Sequence, residues 1–183
     1  MEMFLILALI HLPVIVNSQD SQDKLKDITI GVLLTGSIEK PPLQLRALEM
    51  AFSKVNDDPD ILPGFRLVPF PMYTQSSLDT FGNIKNVCEI LTNKVGAIIG
   101  PMSSTPVRAV YPICDGVHMP MIAPMATDPT FSTTVSSYKY LMKMLPPDSV
   151  QSLALVDIIE HFGWEKLAIL TSSNIWSLSL LHI

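Results

Sequence analysis

Two polar turns, each placed directly after a short apolar run, constrain this sequence more than any other feature. The first run, residues 95–99, stops at Gly100-Pro101 and leads through a hydroxyl cluster into a helical pattern. The second run, residues 119–123, ends at a proline and leads to Thr127-Asp128. Strand, polar turn, helix, strand and polar turn in this order predict a βαβ unit of a parallel sheet. Ligands of such sheets bind beyond the carboxyl ends of the strands, so the two turns form the candidate site.

The rest of the chain repeats the same alternation. Further apolar runs at residues 28–34, 65–70 and 138–145 predict strands, and helical patterns lie between them. The sequence therefore predicts an α/β fold with a doubly wound, mostly parallel sheet. With the strand order 2-1-3-4, right-handed crossovers place the second and third helices side by side on one face.

Helix starts and buried faces follow from caps and apolar spacing. The first helix is predicted after Pro41-Pro42, with a stripe formed by Leu45, Leu48, Phe52 and Val55. The predicted caps of the later helices are Ser76 or Ser77, then Thr105 with Pro106 at the first helical position, then Asp148 or Ser149. The predicted buried faces of the second and last helices are Phe81, Ile84, Cys88 and Leu91, and Leu155, Ile158, Ile159 and Phe162. The last helix is predicted to end at Gly163-Trp164, with His161 as a surface residue near its C-terminus, and a strand is predicted to begin at Lys166.

Composition and motif spacing exclude several classes of function. The 12 Lys and Arg residues are scattered and the net charge is −5, so no nucleic-acid surface is predicted. No His or Cys spacing fits a metal site, and no glycine pattern fits a phosphate-binding loop, so no cofactor is predicted. Ser104 lacks a nucleophile elbow, and Asp115 and His118 lie roughly 15 Å away at the far end of the intervening helix. No catalytic residue is assigned, and an enzyme is not expected.

The N-terminus predicts export. Residues 3–16 are nearly unbroken apolar sequence, and Val16 and Ser18 occupy the −3 and −1 positions of a cleavage site, so residues 1–18 are predicted to be a signal peptide. The run is shorter than the ~20 residues that span a bilayer. Cys88 and Cys114 are the two cysteines; each fits a buried thiol, and an oxidising compartment favours a bridge, which the predicted helix arrangement permits.

The hydroxyl cluster Ser103, Ser104 and Thr105 has two interpretations. Ser and Thr favour helix caps and turns, which is a purely structural role. Hydroxyls and free N–H groups at a helix N-terminus also bind carboxylate or phosphate. The sequence leaves both open, and one cluster can do both.

Several segments together resemble a known family. They are residues 56–64 (N-D-D-P-D-I-L-P-G), 97–105 (A-I-I-G-P-M-S-S-T), 113–127 (I-C-D-G-V-H-M-P-M-I-A-P-M-A-T), 140–151 (Y-L-M-K-M-L-P-P-D-S-V-Q) and 161–170 (H-F-G-W-E-K-L-A-I-L). Residues 27–171 resemble the receptor ligand-binding region, the bilobed ectodomain of the periplasmic-binding-protein type 1 fold. Class C G-protein-coupled receptors, glutamate-receptor channels and natriuretic-peptide-type guanylyl cyclases carry it.

This resemblance implies a division of the chain. Residues 27–146 would form lobe 1, residues 147–171 the first helix and strand of lobe 2, and residues 172–183 a tail that departs from the family. The tail is interpreted as a truncated gene model or an alternative splice end. Membrane attachment would then come only through a C-terminal part beyond this sequence, and a real truncation would give a secreted fragment.

The resemblance also implies a ligand and partners. Family members bind a small amino-acid-like ligand in the interlobe cleft through hydroxyls that match Ser104 and Thr127, and Ser103, Thr105 and Ala126 lie in the same two segments. Met125 replaces a serine of the family pattern, so one ligand contact is absent. The implied location is the extracellular side of the cell membrane, with homo- or heterodimers formed through lobe 1. The alternative is a modulatory, non-binding N-terminal domain of a channel, in which Cys88 would pair with a distant cysteine.

Overall fold

The computed structural model describes residues 25–76, 78–133, 137–166 and 168. Over these residues, strands and helices alternate along the chain. In order, they are β1 (Lys26–Thr35), α1 (Leu43–Asn56), β2 (Phe65–Thr74), α2 (Thr80–Thr92), β3 (Ala97–Ile99), α3 (Ser104–Gly116), β4 (Met121–Ala123), α4 (Thr130–Thr133), β5 (Leu141–Lys143) and α5 (Asp148–Phe162).

The five strands form one parallel sheet in the order β2-β1-β3-β4-β5. Thr35 pairs with Thr74, Ile99 with Ile122, and Ala123 with Lys143, so the carboxyl ends of all strands lie along one edge. The predicted fold class and strand order are confirmed. β1 is buried from Ile30 to Leu34, as a near-continuous apolar run in the middle of a parallel sheet should be.

The core lies on both faces of the sheet. On one face, Leu33, Ile98 and Met121 pack with apolar residues of α2 and α3, which lie in contact as predicted. On the other face, Val32 and Leu34 pack with Leu45 of α1. The stripe predicted for α1 is confirmed, with Leu45 and Phe52 buried.

All three predicted helix caps are wrong; for α5 the cap is Pro147 and not Asp148 or Ser149. α2 is capped by Asp79, whose Oδ1 accepts from the Gly82 N–H at 2.8 Å. A carboxylate here suits the positive end of the helix, whereas Ser76 accepts from Leu78 in the preceding turn. Ser77 lies outside the described residues. α3 begins at Ser104 with Ser103 as the N-cap, so Thr105 and Pro106 are its second and third residues.

The buried face of α2 also differs from the prediction. Asn83, Asn86, Val87 and Ile90 are buried, whereas Phe81 and Cys88 are exposed and Ile84 and Leu91 are partly buried against the core. The two asparagines can be buried because their side-chain amides donate to the carbonyls of Asp79 and Tyr73. Cys88 therefore does not face the sheet. Cys88 and Cys114 are both free thiols, so the bridge considered between them is not formed.

The last two elements are also corrected. The strand predicted over residues 138–145 is limited to Leu141–Lys143, because the Tyr140 N–H is bound to the Tyr111 hydroxyl and the Leu141 N–H to the Tyr138 carbonyl. α5 starts after Pro147 as its N-cap and ends at Gly163 in the left-handed conformation, with φ 62°. Gly163 was the predicted stop.

The apolar stripe predicted for α5 does not lie against the sheet. Leu155, Ile158 and Phe162 are 44–61% exposed, and the buried residues of the helix are Asp148 and Ser152. His161 is exposed in the last turn, as predicted. The predicted signal peptide, most of the strand predicted from Lys166, and the tail lie outside the described residues.

Candidate ligand-binding site

The two polar turns lie next to each other at the carboxyl edge of the sheet. β3 and β4 are paired in parallel, and the Gly100 N–H continues the ladder by donating to the Ile122 carbonyl at 2.7 Å. Gly100 has φ +92°, and a Cβ there would come within 2.5 Å of the Leu33 carbonyl oxygen. This tight turn directs the chain from β3 into α3, so the position requires glycine.

Direct contacts join the two turns. The Ser104 hydroxyl oxygen accepts a hydrogen bond from the Asp128 N–H at 3.3 Å. The Asp128 carboxylate forms an ion pair with Arg108, one helical turn beyond Ser104. It also accepts hydrogen bonds from the N–H and the hydroxyl of Thr130, the first residue of α4, at 2.9 and 2.7 Å. Asp128 thus fixes the second turn against the N-terminus of α3.

Asp128 and Arg108 were missed as site-building residues. Asp128 directly follows Thr127, and Arg108 lies four residues after Ser104 on the same helix face. An acid beside one turn and a cation one turn along the facing helix are a recognisable charge pattern. The charge pattern alone does not identify Asp128 and Arg108 as a pair, because it is the contact between the two turns that brings them together.

Thr127 is the most unusual residue of the site. Its side chain is 7% exposed, and its Oγ1 atom has no hydrogen-bond partner among the described residues. Its main-chain carbonyl, in contrast, accepts from the Asp148 N–H at 2.9 Å. Buried hydroxyls in folded proteins nearly always have a partner, so the Thr127 hydroxyl is an exception among the described residues.

The other predicted site residues take different positions. Ser103 is buried at the N-cap, and Thr105 is partly buried within the first turn of α3. Ala126 is fully buried in the core, main chain included, so it is not accessible to a ligand in this conformation. Met125 is 51% exposed beside them.

The electrostatics of this edge favour an anionic group. A helix N-terminus carries partial positive charge, which favours an anion near the start of α3. Lys143 ends β5 in register with Ala123, and its ammonium group donates to the Ser132 hydroxyl of α4. Burial lowers the pKa of Lys143, and among the described residues no carboxylate lies within ion-pair distance of it.

Asp115 and His118, the acid and the imidazole considered as partners of Ser104, lie outside this site. Asp115 accepts from the Tyr111 hydroxyl at 3.0 Å, and the ring of His118 lies 5.2 Å from that of Tyr140. Both lie at the opposite end of α3 from Ser104, so the three residues do not form a catalytic triad. Within the described part of the chain, no cluster of His, Cys, Asp or Glu could hold a metal ion. No helix in that part is long and apolar enough to cross a bilayer.

The fold and the polar carboxyl edge define the class of this domain as the periplasmic-binding-protein type 1 fold. Two structures of an ABC transporter substrate-binding protein from Desulfitobacterium hafniense, one of them in complex with Leu, superpose with TM-scores of 0.71 and 0.70 at 19% identity. Each match covers 85% of this chain and 45% of the bacterial protein. The profile of the family described as receptor family ligand binding region matches residues 43–183, and the chain belongs to this family.

Curated relatives include receptors from plants and animals. Glutamate receptor 3.7 of Arabidopsis thaliana is 34% identical over 121 residues, covering 66% of this chain and 13% of the receptor. The metabotropic glutamate receptor of Drosophila melanogaster is 27% identical over 159 residues, covering 72% and 16%. The chain therefore spans only a small part of the length of these receptors.

Proposed function

We propose that this chain forms one wall of an extracellular cleft in which a cell-surface receptor binds a small amino-acid-like ligand. One observation carries the proposal: the Ser104–Asp128 hydrogen bond brings the two hydroxyl turns together, beside a buried Thr127 hydroxyl that has no partner among the described residues. Family membership supports a role in ligand binding. The names of the relatives, and the Leu complex of the bacterial protein, support an amino-acid-like ligand.

The arrangement suits the α-carboxylate and α-ammonium groups of an amino acid. The Ser104 oxygen accepts from Asp128, so its own proton is free to be donated to a ligand carboxylate at the N-terminus of α3. The Thr127 hydroxyl is available to the ammonium group after rotation about its Cα–Cβ bond, since Oγ1 is shielded in this conformation. Met125 offers no hydroxyl, so the ligand has one contact fewer than the family pattern provides.

We further propose that residues 27–146 form lobe 1 and that residue 147 starts the crossover to a second lobe. The apolar side chains that α5 leaves exposed support this division, because such a helix normally packs on a sheet. The 45% coverage of the bacterial protein supports it as well. Closure of two lobes on a ligand would shift the receptor between its conformations.

Residues 1–18 would deliver this region to the extracellular side of the membrane, where it acts by binding and not as an enzyme. The hydroxyls and N–H groups at the carboxyl edge of the sheet serve recognition, and in the described part of the chain Asp115 and His118 lie too far from Ser104 to activate it.

A modulatory, dimerising domain is the second candidate. It is favoured by large apolar side chains on the outer faces of α1 and α2: Leu43, Met50 and Phe81 are 73–79% exposed. Sedimentation equilibrium of the chain tests it. A concentration-dependent dimer that Phe81→Ser abolishes supports dimerisation, and a monomer at all concentrations contradicts it.

Ligand binding is tested by saturation-transfer NMR with the set of common L-amino acids. For each amino acid that binds, Ser104→Ala should weaken affinity by about tenfold or more, the cost of one hydrogen bond to a charged group. Ser53→Ala is the matched control, because the Ser53 hydroxyl is exposed on α1 and bonds only to Asp57. Equal effects of the two substitutions would refute the assigned site.

A further inference from the structure

α5 is attached to the rest of the domain through its first turn. Asp148 and Ser152 are its buried residues, whereas Leu153, Ile158 and Phe162 are exposed by 60%, 44% and 61%. The helix has 15 residues and is therefore about 22 Å long. A few contacts at one end thus determine the direction of the whole helix.

Among the described residues, a main-chain hydrogen bond joins the first turn of α5 to the ligand-binding turn. The Asp148 N–H donates to the Thr127 carbonyl at 2.9 Å, and the Ser152 hydroxyl donates to the Asp148 carbonyl at 3.3 Å within the same turn. As the first N–H of the helix, the Asp148 group has no partner inside the helix and must find one elsewhere. It finds that partner in Thr127, whose buried hydroxyl bonds to none of the described residues.

We propose that the main-chain N–H of Asp148 is a positioning group: it holds Thr127 in place and couples the state of the ligand-binding turn to the direction of α5. A displacement of Thr127 by a ligand moves its carbonyl, and the base of the helix follows. Because of the length of the helix, a rotation of about 5° at its base moves the far end by about 2 Å. The coupling to ligand rests on the proposed function, whereas the attachment itself does not.

The N–H group has to be separated experimentally from the carboxylate of the same residue. The Asp148 side chain is 8% exposed, and a carboxylate in the first turn of a helix is itself stabilising. Asp148→Pro removes the N–H together with the carboxylate, and Asp148→Ala removes the carboxylate alone. The difference between these two variants isolates the hydrogen bond.

Proline fits this position without distorting the backbone. Asp148 is the first residue of the helix, where proline is readily accepted. The preceding Pro147 has φ −68° and ψ 155°, the extended conformation that a residue before proline requires. Asp148→Pro should therefore fold, which circular dichroism verifies.

The readout is the distance between spin labels on Cys88 and on Glu160→Cys, measured by double electron–electron resonance. Cys88 is exposed on α2 and Glu160 is exposed near the end of α5, whereas Cys114 is fully buried. The proposal predicts one narrow distance distribution for the otherwise unchanged chain and for Asp148→Ala, and a shift or broadening by about 2 Å or more for Asp148→Pro. Identical distributions for Asp148→Pro and Asp148→Ala would overturn it.

A second measurement keeps the test decisive if Asp148→Pro does not fold. Hydrogen exchange of the unchanged chain reports directly on the Asp148 amide, whose hydrogen bond to the Thr127 carbonyl should slow its exchange. A protected Asp148 amide supports the attachment, and an amide that exchanges as fast as in an unfolded chain contradicts it.

Coupling is examined by adding L-leucine as the probe and recording amide spectra and label distances together. The coupling is supported if leucine perturbs the Thr127 and Asp128 amides in both variants and changes the label distance in Asp148→Ala but not in Asp148→Pro. Perturbed amides with an unchanged distance in every variant overturn the coupling and leave the proposed function intact. If leucine binds away from these amides, the proposed function is contradicted. The attachment of α5 to Thr127 is then still tested by the label distances without ligand.

Discussion

Replacing Thr127 by valine should make the ligand-free domain more stable, the opposite of the usual effect of a substitution in a protein interior. Thr127 is 7% exposed and its hydroxyl oxygen has no partner among the described residues. Valine has nearly the same shape and the same β-branched rotamer preference, so it can occupy the site without a cavity or strain. The substitution thus isolates the hydroxyl group.

The expected gain follows from the cost of the unpaired hydroxyl. A buried polar group without a hydrogen bond costs about 1–3 kcal/mol, and its replacement by an apolar group of the same shape removes this cost. Thr127→Val should therefore raise the free energy of unfolding by about 1 kcal/mol or more, measured by urea denaturation without ligand. The same variant should lose amino-acid binding.

Thr74 provides a matched control. It is 5% exposed, but its hydroxyl lies 3.4 Å from the Leu34 carbonyl and 3.2 Å from the Ser76 carbonyl. Thr74→Val should lower the free energy of unfolding by about 0.5–1.5 kcal/mol, since a satisfied bond is lost. The reasoning is refuted if Thr127→Val destabilises the domain as much as Thr74→Val, because the Thr127 hydroxyl would then have a partner.

Three further predictions concern the turn after β3 and the two cysteines. Gly100→Ala should lower the free energy of unfolding by more than about 2 kcal/mol, because the new Cβ would approach the Leu33 carbonyl oxygen to 2.5 Å at φ +92°. Gly116→Ala is the control: its Cβ meets no atom within 4 Å, so the substitution should be nearly neutral. Equal denaturation midpoints for the two variants would contradict this prediction. A thiol reagent should modify Cys88 rapidly in the folded chain and Cys114 only on unfolding; no reactive thiol in the unfolded, unreduced protein would instead indicate a bridge. Burial raises the pKa of Cys114 from 9.0 to about 12, so unfolding releases a thiol proton above pH 9 and the free energy of unfolding should fall there by up to about 1.4 kcal/mol per pH unit. Cys114→Ala should remove this slope. If the slope persists in the variant, it belongs to another group.

The topology was predictable because each strand and crossover is encoded locally. The apolar run at residues 28–34 has to be buried on both faces, which places β1 inside the sheet. The handedness of the crossovers then leaves few strand orders, and the observed one is β2-β1-β3-β4-β5. Gly163 as a left-handed helix stop was equally visible.

The rotation of α2 could not be predicted from hydrophobicity alone. Asn83 and Asn86 are buried because carbonyl groups of Asp79 and Tyr73 accept their amide protons, and the Tyr73 carbonyl belongs to β2, the strand on which α2 packs. Phe81 is exposed although it is aromatic. A polar residue that finds such a partner can displace an apolar one from the buried face.

The site was half predictable for a similar reason. Ser104 and Thr127 follow from their places after two neighbouring strands and from the family resemblance. Two hydrogen bonds of the site depend on how the turns fold, and the spacing of apolar residues does not encode this. They are the bond from the Asp128 N–H to Ser104 and the bond from the Asp148 N–H to the Thr127 carbonyl. The role of Asp148 is therefore visible only in the structure.

The most direct test of the central claim is an NMR titration of the ¹⁵N-labelled chain with L-amino acids. If the chain forms one wall of an amino-acid cleft, at least one amino acid should perturb the amides of Ser104, Thr127 and Asp128 together. Because a single wall makes only part of the contacts, the dissociation constant should be roughly millimolar, about −4 kcal/mol of binding free energy. Three results would contradict the account. They are perturbed amides only in other parts of the domain, no perturbed amide with any of the amino acids, and micromolar affinity for this single wall.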